Sequence, residues 1–354
     1  MIKRRQSKEL NLGGVRLGGD APVIVQSMTS TDTRNVEATV GQIKALEGAG
    51  CEIVRVAVID EQAVASIGEI CRRISIPLIA DIHFDYRLAL KVLEQGVSGI
   101  RINPGNIGRY HIKEIVNAAK ERDVVIRLGI NAGSLEREIL KKHGGKPTST
   151  ALVESALRNI ELFENIGFTN FKLSLKSSDV LTTIEAYREI AKRCPYPLHL
   201  GVTEAGTIIN ATIKSALGIG ILLLEGIGDT IRVSIAGDPI SEVRVAYGIL
   251  RALGIRYVGP DIIACPTCGR TEINVVKIAE ELERRLARMK KYIKIAIMGC
   301  VVNGPGEARD ADIGLAGGRG FGYLFRKGER IRKIKETEFI DGLMEEIKKI
   351  TEDS

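Results

Sequence analysis

The chain contains no tryptophan, and aromatic residues make up only 4% of its 354 positions. Such scarcity argues against single-stranded nucleic acid as a partner, because that mode of binding needs rings on which bases stack. No apolar run approaches the roughly 18 residues of a membrane-spanning helix. The opening residues, Met1 to Lys8, are basic and lead into no apolar segment, so no secretory signal is expected and the expected location is cytoplasmic, with no membrane partner. Six cysteines in a chain of this length do not resemble a disulfide scaffold.

What is present is an ordinary globular balance, 44% hydrophobic and 27% charged, with a formal charge of +7. A basic excess points to nucleic acid or to an anionic metabolite, and the placement of the cations decides between them. From about residue 23 to 253 one unit recurs: a β-rich run, a polar turn and an amphipathic stretch. Strands are expected at 23–29, 53–58, 78–84, 99–104, 124–131, 170–176, 198–204 and 230–236. Helical patterns between them include 36–49, 86–95, 149–166, 179–193 and 208–224. Eight such repeats predict an α/β fold, a (β/α)8 TIM-type barrel, over a doubly wound open sheet. Residues 3–18 read as a hairpin turning at Gly13-Gly14, placed to plug the amino-terminal mouth. An insertion at 132–147 falls on the catalytic face, as a flap or a plain surface loop.

After Gly254 the pattern changes. Residues 256–261 read as a linker, followed by a compact α+β domain with a helix near 274–288, a strand near 293–298, short strands near 311–316, 322–327 and 329–334, and a helix near 339–349. The division is therefore 1–255, a substrate-binding barrel, and 256–354, a small metal-carrying domain.

Alternate residues of a barrel strand point inward, and the carboxyl ends of the strands open onto the active site. Charge inside such a strand is informative, because burying it unpaired is costly. The polar series runs Gln26; Arg55; Asp81 and His83; Arg101 and Asn103; Arg127 and Asn131; Lys176; His199 and Glu204; Arg232 and Ser234. Five cations against two acids, Asp81 and Glu204, leave a positive field suited to a phosphorylated small molecule, since the guanidinium fork matches phosphate oxygens. The competing reading is a polar layer neutralised by internal salt bridges. His199 reads as a core histidine, and His111 and His143 as surface residues. A concave mouth does not fit duplex DNA, so nucleic acid is not expected as a partner.

Cys265-Pro266-Thr267-Cys268 is a CxxC, and Cys300 follows within Gly299-Cys300-Val301-Val302-Asn303-Gly304-Pro305-Gly306-Glu307. Three thiols and a carboxylate complete a four-ligand site, and the glycines let backbone N–H groups approach a cluster. Zinc and an iron–sulfur cluster both suit this donor set. Cys51, Cys71 and Cys194 stand apart and read as small buried hydrophobes.

Taken together, the runs Val25–Thr29, Leu198–Gly206, Ile231–Ser234, Ala264–Arg270 and Gly299–Ala308 closely resemble the hydroxymethylbutenyl diphosphate synthase family, in its two-domain bacterial form. Ser30 departs from the asparagine common after Ser-Met-Thr in that family. The resemblance implies reductive ring opening and dehydroxylation of 2-C-methyl-D-erythritol 2,4-cyclodiphosphate. It implies a [4Fe–4S] cluster on Cys265, Cys268, Cys300 and Glu307, in a domain of sulfite/nitrite-reductase-like fold. Ferredoxin or flavodoxin would be the electron donor. With it, Gln26, Arg55, Arg101, Asn103, Arg127, Asn131, Lys176, Arg232 and Ser234 become the expected substrate-binding set. Glu204 is the expected acid/base, supported by Asp81 and His83. The linker is too short to carry the second domain easily around its own barrel, at roughly 3.3–3.6 Å per residue. A homodimer in which each cluster domain caps the partner's barrel is therefore expected. Two other readings stay open: a zinc-stabilised phosphometabolite lyase or transferase, and a basic RNA-binding protein.

Overall fold

β-Branched residues dominate the run Ile53–Val58, and such residues pack well on a pleated, buried surface; it forms a strand with almost every residue buried. The same logic builds the whole first unit. The structure is a computed structural model that describes residues 2–301, 306 and 309–352. By internal contacts the chain divides into two compact units, Met1–Arg256 and Tyr257–Ser354.

In the first unit a hairpin, β1 (Leu10–Leu12) and β2 (Val15–Leu17), precedes eight parallel strands: β3 (Ile24–Met28), β4 (Ile53–Val58), β5 (Leu78–Ile82), β6 (Gly99–Ile102), β7 (Val125–Asn131), β8 (Phe171–Lys176), β9 (His199–Leu200) and β10 (Thr230–Ile231). Their order is β8-β7-β6-β5-β4-β3-β10-β9, and a parallel bridge between Leu173 and Leu198 closes the ring. Helices α1 (Val36–Gly48), α2 (Glu61–Arg73), α3 (Tyr86–Leu93), α4 (Arg109–Glu121), α5 (Arg137–Lys142), α6 (Ser149–Asn165), α7 (Val180–Arg193), α8 (Ile208–Leu224) and α9 (Pro239–Ala252) alternate with the strands. Several start on an aspartate: Asp60, Asp85, Asp179 and Asp238 each accept a first-turn N–H, satisfying a donor the helix leaves free.

The hairpin lies where its leucines predict. Leu10, Leu12 and Leu17 pack on Ile24, Ile53, Ile79 and Val125, at the starts of their strands, and close the amino-terminal mouth. Its turn needs glycine at Gly13, where φ is +57° and an added Cβ would stand 2.4 Å from Ser98 Oγ. The 132–147 insertion is anchored rather than loose: Ser155 and Asn159 of α6 donate to Glu136 at 2.7 and 3.1 Å.

Two expectations change. Strands 198–204 and 230–236 shrink to two residues each, because the chain leaves the ladder for side-chain partners: Glu204 turns to φ +51°, and Ile235 N donates to the Glu242 carboxylate at 3.1 Å. The second change is in the linker, whose last residues are a strand. β11 (Pro260–Ala264) pairs in parallel with β12 (Ile293–Met298), with proline at the first position of an edge strand, where its missing N–H is tolerated.

The second unit continues with α10 (Val275–Arg285), β13 (Ile313–Gly318), β14 (Phe321–Arg326), β15 (Glu329–Lys335) and α11 (Phe339–Glu352). Its sheet order is β11-β12-β13-β14-β15. Ile278 and Leu282 of α10 and Phe339, Leu343 and Ile347 of α11 cover one face over Ile295, Ile297, Ile313, Leu315 and Leu324. Among the described residues no helix is long and apolar enough to cross a membrane.

Candidate active site

The inward positions of the barrel change character with height. Above the apolar floor the strands place Gln26, Arg55, Asp81, Arg101, Arg127, Lys172 and Lys176 in the interior, all buried. Asp81 is the hub: Arg55 Nε lies 3.5 Å and Arg101 Nη1 3.2 Å from its carboxylate. Burial alone would raise this carboxyl, but Arg55, Arg101 and Arg127 outweigh it and hold it down at about 2. Arg55 responds in the opposite sense: burial lowers it to about 10 despite Asp81. Its guanidinium also reaches Met28 Sδ at 2.9 and 3.1 Å.

Three cations have no carboxylate partner among the described residues. Arg127 donates only to Ser174 Oγ, at 3.3 Å, and Lys172 only to Gln26 Oε1, at 3.4 Å. Lys176 is buried beside them. Burial first, and repulsion from neighbouring cations second, push all three well below their ordinary values. An unpartnered buried cation is costly, and an anion entering the barrel would relieve that cost.

Space for these groups is made by glycine. A Cβ on Gly129 would stand 2.6 Å from Arg101 Nε. On Gly201 it would stand 2.6 Å from Lys176 Nζ and 2.5 Å from Arg232 O. Gly129→Ala therefore strikes side chain rather than backbone. We expect it to displace the Arg101 guanidinium, to cost about 1–3 kcal/mol of stability, and to weaken pyrophosphate binding roughly tenfold, about 1.4 kcal/mol. Denaturant unfolding and calorimetric titration check both.

The remaining predicted residues fall into two groups. Asn131 accepts from Arg101 Nη2 at 2.9 Å once its amide is turned to satisfy both neighbours; Ser234 is half-buried, and His83 and Glu204 are exposed. Other groups are already engaged. Asn103 is not a free amide, since it donates to Ser134 Oγ at 2.6 Å and accepts from Gly105 N at 3.1 Å, holding the loop after β6. Arg232 is paired with Glu242 of α9 at 2.9 and 3.2 Å; Glu242 also accepts from Ser27. His199 is a core residue as expected: Nδ1 meets Thr230 Oγ1 at 2.7 Å, Nε2 has no partner among the described residues, and burial drives the ring strongly toward the neutral form. His111 and His143 are half-buried, not fully at the surface, the first stacked on Tyr86 with ring centroids 3.7 Å apart, the second bonded to Glu154. Lys172 and Glu242 were outside the expected set.

Tyr187 of α7 works at the seam. Its hydroxyl accepts from Leu175 N at 3.1 Å and donates to His199 O, bridging β8 and β9 where their ladder is thinnest.

In the second unit Cys265 follows β11 and Cys300 follows β12, adjacent parallel strands. Gly299 N donates to Cys265 Sγ at 3.1 Å. A Cβ at Gly299 would meet Thr271 Cγ2 at 2.8 Å and that sulfur at 3.1 Å. Glu272 N donates to Gly299 O at 2.8 Å and ties the two loops together, while Thr271 N to Cys268 O at 2.9 Å closes a turn within the first. Among the described residues no three His, Cys, Asp or Glu side chains converge as a metal-binding group, and Glu307 lies outside the described residues. The donor set itself, three thiols on two cross-tied loops with an N–H aimed at sulfur, fits an iron–sulfur group. The other cysteines differ: burial pushes Cys51 up to about 12 and Cys71 to about 11, so both stay protonated and poor as ligands.

Fold and site together define a TIM-type barrel protein with a cationic interior and an appended thiol-bearing α+β unit. The chain belongs to the GcpE family: residues 7–247 match the GcpE TIM-barrel domain and residues 261–349 the GcpE protein C-terminal domain. Relatives from Geobacter sulfurreducens (56% identical over 98% of both chains) and Caldanaerobacter subterraneus subsp. tengcongensis (57% identical over the full length of both) are each named 4-hydroxy-3-methylbut-2-en-1-yl diphosphate synthase (flavodoxin). Among solved structures, N-acetylneuraminic acid synthetase from Leptospira borgpetersenii is similar at TM-score 0.53 and 14% identity, covering 80% of this chain and 98% of that one. Dihydropteroate synthase from Stenotrophomonas maltophilia is similar at TM-score 0.51 and 15% identity, covering 70% and 98%. These two likenesses speak to the barrel fold alone.

Proposed function

We propose that the chain catalyses the reductive ring opening and dehydroxylation of 2-C-methyl-D-erythritol 2,4-cyclodiphosphate to 4-hydroxy-3-methylbut-2-enyl diphosphate, a step of non-mevalonate isoprenoid synthesis, in the cytoplasm. The observation that carries the reading is the trio Arg127, Lys172 and Lys176, buried without a carboxylate partner. A cyclic diphosphate supplies the missing negative charge, and Arg101, Arg55 and Asn131 orient it. The reaction takes up two electrons and two protons and releases one water. Reduced flavodoxin, named for the relatives, is the electron source, with ferredoxin as the related choice. Anaerobic turnover of the cyclodiphosphate with a chemical reductant tests the reading; no product from holoprotein of full iron content overturns it.

Cys265, Cys268 and Cys300 are the residues that would hold the [4Fe–4S] cluster, with Glu307 as the fourth ligand. When bound, such a cluster supplies the electrons that the barrel residues cannot. Barrel residues bind, orient and move protons. Glu204 is exposed at the mouth beyond β9, free to exchange a proton with the reacting hydroxyl, with Asp81 and His83 as supporting groups. We expect Glu204→Gln to keep cofactor content and substrate affinity and to lower kcat about 100-fold; near-normal kcat would remove Glu204 from that role.

The assembly we propose is a two-fold homodimer in which each cluster domain caps the partner's barrel. Helix α8 supports it with an apolar stripe at one helical face, Ile209, Ile213 and Leu217, 72%, 54% and 49% exposed. A second copy presents the same stripe and covers it under two-fold symmetry. Ile213→Glu with Leu217→Glu should give a monomer by sedimentation that has lost turnover. A fully active monomer would be incompatible with the arrangement.

A further inference from the structure

The sheet of the second unit ends at β15. Its register with β14 pairs Phe321 with Lys335, Tyr323 with Lys333 and Phe325 with Arg330. Strand alternation places these six residues on one face, opposite the face that α10 and α11 cover. Arg330 lies over the Tyr323 ring, 3.5 Å from its centroid, and Lys333 over the Phe321 ring at 3.9 Å. Arg330, Lys333 and Lys335 are exposed. None of the three side chains forms an ion pair with a described residue. Most acids nearby are turned elsewhere or stand beyond the strand: Glu345 and Glu346 take Arg332 and Arg326 on the helix side, Glu336 follows the strand end, and Glu338 folds back to accept from the backbone N–H of Lys335 at 3.2 Å.

Two further facts give this face a direction. Cys265, beyond the end of β11, packs against the apolar clusters on both faces of the sheet, and Tyr323 packs against the one opposite the helices, Ala296, Met298, Ala311, Ala316 and Phe325, so the cationic face borders one of the two sides the CxxC touches. Strand β15 also runs parallel to β12, through two antiparallel steps from β13. Lys333 and Lys335 therefore stand at the end of the sheet where Cys265 and Cys300 emerge. Three strand spacings separate β12 from β15, about 14 Å. A bulge at Ile331, which has no partner in the β14 register, twists the edge and, with its lysines, blocks addition of another strand. What docks here docks on the face, by charge.

We propose that this face, Arg330 and Lys333 standing on Tyr323 and Phe321 with Lys335 beside them, is the docking surface for the small acidic flavin-bearing electron carrier; the inference rests on the reading given under Proposed function. Cations held on rings are partly preorganised, which lowers the ordering cost of a brief contact. Charge on such a rim acts mainly on encounter rate and salt sensitivity. RNA fits less well, because the two rings that would stack bases are already covered by cations.

The test uses the triple variant Arg330→Gln, Lys333→Gln, Lys335→Gln of the full chain. Titration with oxidised flavodoxin at low salt should show Kd raised about tenfold or more, with a flatter salt dependence. Flavodoxin-driven turnover of the holoenzyme should show KM raised to match, while turnover driven by methyl viologen stays unchanged. Unchanged flavodoxin affinity at every salt concentration overturns the proposal and leaves the cations as guards against strand pairing. Tighter binding of a single-stranded RNA oligonucleotide than of flavodoxin overturns it as well. Should viologen-driven turnover also fall, the single variant Lys333→Gln decides: a two- to threefold rise in flavodoxin Kd supports the site, and no change rejects it. Failure of the parent holoenzyme to convert the cyclodiphosphate with viologen would instead strike the reaction assignment, since the binding titration requires no turnover.

Discussion

Asp81→Asn should lower the stability of the ligand-free protein by about 3–5 kcal/mol, because it leaves Arg55 and Arg101 buried without their counterion. Asp81 is 2% exposed, and both guanidinium groups sit within 3.5 Å of its carboxylate. The pH dependence follows from the sign of its shift. A carboxyl held at about 2, below its ordinary 3.8, contributes stability that is fully present above that ordinary value. That contribution is lost as pH falls through the folded value. The gap between parent and variant, measured by urea unfolding, should therefore close as pH drops from about 4 toward 2. Pyrophosphate should stabilise the variant more than the parent, since it then supplies the only negative charge facing Arg101. At one hundred times Kd, a ligand adds about 2.7 kcal/mol to either protein before that difference. Turnover should fall about 100-fold or more, as expected when binding groups move by an ångström. A variant as stable as the parent at pH 7 would mean that the cations are solvated in ways this pairing ignores.

Cys268→Ser should abolish activity outright while leaving the barrel able to bind pyrophosphate. The second unit has its own apolar core, with Ile295, Ile297, Leu315 and Leu343 fully buried, so we expect the variant to stay folded. Iron and acid-labile sulfide should drop to background, and turnover should vanish with viologen and flavodoxin alike. Cys71→Ser is the control, since burial keeps that thiol protonated near 11; it should retain full iron content. Equal iron in both variants, or zinc in the parent, would remove the cluster assignment.

Much of the site could be read from alternation within strands. Arg55, Asp81, Arg101, Arg127 and Lys176 are all buried in the barrel, as charges in otherwise apolar strands predict. Lys172 obeys the same rule, two turns of the pleat before Lys176 through Ser174, and the strand pattern alone exposes it. Glu242 is another matter. It lies on α9 among residues of an ordinary amphipathic helix, and only the packing of that helix on β3 turns it into the partner of Arg232. Asn103 misleads for a related reason: alternation continued from Arg101 makes it inward, but it lies just past the end of β6 and its amide is spent on Ser134 across a loop that no local pattern reveals. Strand ends were the least legible feature. β9 and β10 stop early because the chain turns aside at Glu204, where φ is +51°, and at Ile235, whose N–H donates to Glu242, a tertiary effect invisible to periodicity.

The Tyr187 hydroxyl gives the barrel an unusual mechanical link. Helix α7 sits on the outside, yet its phenol is the rivet between Leu175 and His199, the first immediately before Lys176 and the second two residues before Gly201. Any tilt of that outer helix is transmitted through one ring to the depth at which the Lys176 ammonium stands. An anion held inside would thus be gripped partly from the outer wall.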